Sequence, residues 1–148
     1  MRAITLAVAA LMCIFSFSAV TAEQAKLQVP QSMRLQHEQI VSRLEHFASR
    51  KGAHSAAAQR AVTFLKKHYA KEEEFVLPTL SLLPRLAKGE IAKDMEPAIA
   101  MADRTKSAQS EFQNDHINIT SLMNELIEAG KKKRDEELVR FATRVAAA

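Results

Sequence analysis

The chain has 148 residues, of which 47% are hydrophobic and 26% charged, with a formal net charge of +4. That length suits one small domain with a modest core. Cys13 is the only cysteine and lies in the apolar leader, so the rest of the chain excludes disulfides, thiolate ligands and a cysteine nucleophile.

Residues 1–22 read as a secretory signal peptide. Arg2 supplies a positive start, residues 4–17 are largely apolar, and Val20-Thr21-Ala22 offers small residues for cleavage after Ala22. The run is shorter than the ~18 residues of a spanning helix. Met12 stands before Cys13 where a lipoprotein signal places a small residue. The expectation is an exported, periplasmic protein without a stable membrane anchor, whose single domain covers residues 23–148.

The first helix is predicted from Pro30, a favoured first helical position, to about Arg50, with Lys51-Gly52 ending it. Met33, His37, Ile40, Val41, Leu44 and Ala48 recur at three- and four-residue steps and form its apolar stripe. The second helix is predicted from Ser55 as N-cap to Leu77, before Pro78. Its stripe is Ala61, Leu65, His68, Tyr69, Glu72, Phe75 and Val76. Residues 79–89, leucine-rich around Pro84, read as a loop with a short helical turn over one end of the bundle.

A long third helix follows, with a break expected near Pro97 and a stop at Gly130. Its later half carries Phe112, His116, Ile119, Leu122, Met123, Leu126 and Ile127. The basic run Lys131-Lys132-Lys133-Arg134 reads as a solvated interhelical turn at a helix C-terminus, where cations are favoured. No aromatics interleave with it, which speaks against nucleic acid. The fourth helix should start at Asp135 and bury Leu138, Phe141, Ala142 and Val145. No segment alternates as a strand would. Two successive helical hairpins predict an all-α, up-down-up-down four-helix bundle with a shortened fourth helix.

His37, His68 and His116 fall on the apolar stripes of three different helices, and Glu72 lies one turn after His68. Residues four apart share a helix face, ~6 Å apart along the axis. Each histidine alone is explained by a core hydrogen bond, and Glu72 alone by a boundary position. Together they would leave several buried polar groups without partners, at ~1–3 kcal/mol each. The four residues are therefore the predicted metal ligands. Imidazole and carboxylate without thiolate suit iron, manganese or zinc. Tyr69, Ile40, Leu65 and Ile119 are expected to line the pocket. His46 and His54 are expected to be exposed and uninvolved, and Glu73 and Glu74 to face solvent or pair with lysines.

The run Leu35-Gln36-His37-Glu38, then His68-Tyr69-Ala70-Lys71-Glu72-Glu73, Leu77-Pro78 and Asp115-His116, resembles the hemerythrin-like, HHE cation-binding family. The resemblance spans most of residues 23–148. It implies a hemerythrin-like bundle around a non-haem di-iron centre. His37, His68 and His116 would be ligands, and Glu72 would bridge the irons. It also implies dioxygen, another diatomic or peroxide as the small ligand, in oxygen binding, sensing or iron handling. An oxidase or peroxidase on the same centre is an alternative, for which the sequence offers no dedicated proton donor. A metal-free helical interaction module is another.

The family repeats its histidine and glutamate pair in the fourth helix, and here no histidine follows His116. The interval from His37 to His68, repeated from His116, falls within Ala146-Ala147-Ala148. A fragment is the preferred expectation. The others are a degenerate bundle with one metal or none, and a homodimer that completes the site. With a short fourth helix, part of the groove beside His68 and Tyr69 is expected to face water.

Overall fold

The computed structural model describes residues 27–147, and the predicted signal peptide lies outside them. The described residues are helical and contain no strand. Helix α1 spans Gln31–Ser49 and α2 spans His54–Lys71. A π-helical turn, Glu72–Val76, and a 3-10 turn, Leu77–Leu82, then lead into the short α3, Leu83–Leu86. After a 3-10 turn at Lys93–Met95 come α4, Glu96–Ser107, α5, Gln109–Lys133, and α6, Glu136–Ala146. No helix among the described residues is long and apolar enough to cross a membrane.

Four helices share one core. Leu44 and Phe47 of α1 meet Ala58, Ala61 and Leu65 of α2, Met123 and Leu126 of α5, and Leu138 and Phe141 of α6. All of these but Phe47 and Ala58 lie on the stripes expected from the periodicity, because apolar side chains at three- and four-residue steps must turn to a common interior. Each buried Leu or Phe contributes ~1.5–3 kcal/mol over its exposed state. Leu77, Leu82 and Met95 are buried outside that core, where the connecting turns pack on α4, while Leu80, Leu83 and Leu86 stay exposed.

Several boundaries differ from expectation. The second helix does not run as a uniform α-helix to Leu77. It widens at Glu72, where the Leu77 N–H reaches the Glu72 carbonyl. Pro78 does not end the helical path but sits in the first positions of the 3-10 turn, where a missing N–H costs little. Pro97 likewise lies inside the first turn of α4, and the break between α4 and α5 falls at Ala108. Nothing in Ser107-Ala108-Gln109 punctuates that junction in sequence.

Gly130 does not stop α5, which continues to Lys133 and ends at Arg134 in the left-handed conformation, φ 55°. Gly130 is buried, and a Cβ there would lie 2.8 Å from Val139 Cγ2 of α6. The glycine permits close approach of the two helices. Lys131, Lys132 and Lys133 form the last turn of α5 rather than a loop.

His54 is buried, at 6% exposure, not exposed as expected. The reason is that α2 begins at His54, and the ring folds over Gly52, where a Cβ would meet it at 2.9 Å. His46 is exposed, as expected from its face.

Asp135 caps α6 as anticipated. Its Oδ1 accepts from the Leu138 N–H at 3.1 Å, and its Oδ2 accepts from Nη2 of Arg50, the residue after α1, at 2.6 Å. Asp135→Ala should therefore lower stability by about 1 kcal/mol or more, and Asp135→Asn by less, because the amide retains the cap. Urea unfolding of the two variants checks this order, and equal losses would assign the effect to the Arg50 pair instead.

Candidate metal centre

The four predicted ligands gather around one cavity of about 290 Å³. Ile40, Leu65, Tyr69 and Ile119 line it as expected, and α6 reaches it through Val145 and Ala146. One donor atom each from His68, Glu72 and His116 lies within 4.8 Å of the others, so this group could hold a metal ion.

Glu72 stands at the centre. Its Oε1 is 3.2 Å from His68 Nε2, and its Oε2 is 3.4 Å from His37 Nε2. One carboxylate thus faces two imidazoles from two helices. His37 is outside the three-donor group but is joined to it through the second oxygen of Glu72. The opposite nitrogens also meet carboxylates. His37 Nδ1 is 2.8 Å from Glu73 Oε1, and His68 Nδ1 is 3.2 Å from Asp115 Oδ2. Asp115 is tied in turn to Lys71 Nζ at 2.6 Å.

Glu72 and Glu73, the first two residues of the π-helical turn, contact the two nitrogens of the same His37 ring. Glu73 is therefore not the solvent-facing residue that α-helical spacing predicts. Glu74 does face outward, where Arg104 rather than a lysine donates to it at 2.9 Å. The same Arg104 guanidinium lies 4.3 Å from the Phe75 ring centroid and fastens α4 to the widened turn.

His37 and His68 are 7% and 2% exposed, whereas His116 is exposed. The expected opening toward water thus falls on His116 rather than on His68. The His116 ring centroid lies 5.0 Å from that of His68 at the cavity's edge. Tyr69 stacks on His37 with ring centroids 3.7 Å apart and planes 3° from parallel. Phe112 meets His68 edge-on at 5.6 Å. These rings hold both imidazoles in place.

Burial pushes the His68 pKa down, but hydrogen bonds to Glu72 and Asp115 outweigh it and leave the value above 6.5. Burial, with Glu72 nearby, pushes the Tyr69 phenol well above its usual range, so it stays protonated. Asp115 is opposed by burial, yet Lys71 and His68 hold its carboxyl below the usual range.

Sequence reasoning missed Glu73 and Asp115 as histidine partners. Asp115 stands beside His116 and carried a signal only through that neighbour. Glu73 carried none, because α-helical periodicity turns it away. No family model, curated protein or solved structure matches the chain.

A raised folded pKa means that protonated His68 stabilises the metal-free fold fully below the unfolded value of about 6.5, and that this is lost as pH rises through the folded value. Urea midpoints of the metal-free chain should fall over that rise more steeply than those of His68→Gln. Identical pH profiles for the two would contradict the assigned pairing.

Proposed function

We propose that this chain is a hemerythrin-like, up-down-up-down four-helix protein that binds non-haem metal, iron by preference with zinc or manganese as competitors. Its role in this reading is the binding or sensing of dioxygen or a related small ligand, or iron handling, in the periplasm after export. The observation that carries the reading is the environment of the two buried histidines. Each presents both ring nitrogens to carboxylate oxygens.

A neutral imidazole has one N–H and one lone pair. With acceptors on both sides, one nitrogen of each ring faces a carboxylate with its lone pair unless a second proton or a cation intervenes. Glu72, Glu73 and Asp115 bring negative charge to this space, and Lys71 is the cation paired to Asp115. A divalent cation offsets such charge without removing the donors from the apolar interior. Protons are the competing occupants, which predicts that metal binding releases them and strengthens as pH rises.

The donor set fits one ion directly. His68, Glu72 and His116 make a two-histidine, one-carboxylate group, a combination that leaves positions open for a small ligand and suits non-haem iron. A second ion of a di-iron centre would find His37 and the other oxygen of Glu72. Bound iron supplies the redox chemistry and the open positions. The protein's own residues supply the rest: Ile40, Leu65 and Ile119 limit water, and Tyr69 fixes His37 by stacking.

Anaerobic titration of iron(II), zinc or manganese(II) into the purified chain tests the reading. Bound metal should raise unfolding stability by about 2.7 kcal/mol when free metal is a hundredfold above Kd. His68→Gln and Glu72→Gln should remove most of that rise, and His46→Ala should retain it. The iron-loaded chain should develop charge-transfer absorption in air. No rise for the unaltered chain with any of the three metals would favour a metal-free helical module, whose buried histidines are held by protons alone.

A further inference from the structure

We propose that Glu73 and Asp115 are positioning residues of the metal centre, which hold His37 and His68 with their Nδ1 atoms protonated and their Nε2 lone pairs aimed at Glu72 and the ion. This inference rests on the metal-binding reading above. It goes further by assigning work to two carboxylates that are not themselves in the three-donor group.

His37 offers Nδ1 to Glu73 at 2.8 Å and Nε2 to Glu72 at 3.4 Å. His68 offers Nδ1 to Asp115 and Nε2 to the other oxygen of Glu72, both at 3.2 Å. Carboxylates face both nitrogens of each ring, but only the Nδ1 contacts have hydrogen-bond geometry. Donation from Nδ1 leaves Nε2 as the lone-pair atom of the neutral ring. Both lone pairs therefore converge on one carboxylate from opposite sides. Such outer carboxylates fix ligand tautomer and ring angle and raise the basicity of the imidazole.

The two anchors are built from different parts of the chain. Glu73 reaches His37 from the π-helical turn that follows α2. Asp115 comes from α5 and is itself fixed by Lys71, whose Nζ also donates to Glu111 at 2.6 Å. Asp115 thus joins α5 to α2 at the level of the ligands. Among the described residues the His116 ring makes no side-chain hydrogen bond and meets the His68 ring edge-on.

The test combines zinc affinity, measured by competition with a chelating indicator, with nitrogen-15 spectra of the histidine rings. In the metal-free chain the Nδ1 atoms of His37 and His68 should carry the ring protons of the neutral form, and Glu73→Ala and Asp115→Ala should each lose that preference at their own histidine. Each alanine variant should weaken zinc binding roughly 10- to 100-fold. Glu73→Gln and Asp115→Asn, which keep an accepting oxygen, should recover part of both signals. Urea unfolding of the metal-free variants reports any purely structural loss separately. If the unaltered chain binds zinc and the alanine variants bind it equally well, the positioning role is wrong while the metal centre stands. If the unaltered chain binds no zinc, iron or manganese, both readings fall.

Discussion

The carboxylate of Glu72 is the constraint on which the site depends. It is shared between imidazoles from α1 and α2, each buried in a core too small to tolerate unpaired charge. A domain of this size holds ~5–15 kcal/mol of net stability. One buried ionisable group left without a partner would cost several of those, so the polar cluster must be closed as a unit. Ile40, Leu65 and Ile119 beside it offer the buried imidazoles no hydrogen bonds, so the carboxylates must supply them.

The two acids that face His37 are the first residues of the π-helical turn. The turn is held from outside by Arg104, which bonds Glu74 and covers Phe75. Single π-turns inside α-helices recur at functional sites. Here the turn is where one helix supplies a shared carboxylate and an outer anchor from adjacent residues.

The cavity is asymmetric. Its inner wall is rigid, with His37 stacked on Tyr69 and His68 pinned among Glu72, Asp115 and Phe112. Its outer edge is His116, which is exposed and whose backbone carbonyl accepts from Thr120. The inner histidines are held by protein contacts, whereas His116 meets solvent.

The sequence by itself determined the helical class, the apolar stripes of α1, α2, α5 and α6, the cap at Asp135 and the cavity-lining roles of Ile40, Leu65, Tyr69 and Ile119. These are local or periodic properties, and periodicity dictates which residues share a helix face. It also placed His68 beside Glu72, since a four-residue step is enough. The tertiary structure alone decided that Glu73 turns inward, that Asp115 backs His68, that His54 is buried over Gly52 and that His116 faces water. Each of these depends on where one helix lies against another or on a backbone departure from 3.6 residues per turn. Gly130 shows the difference in one residue. By composition it reads as a helix stop, and by packing it is the point where α6 approaches too closely for any side chain.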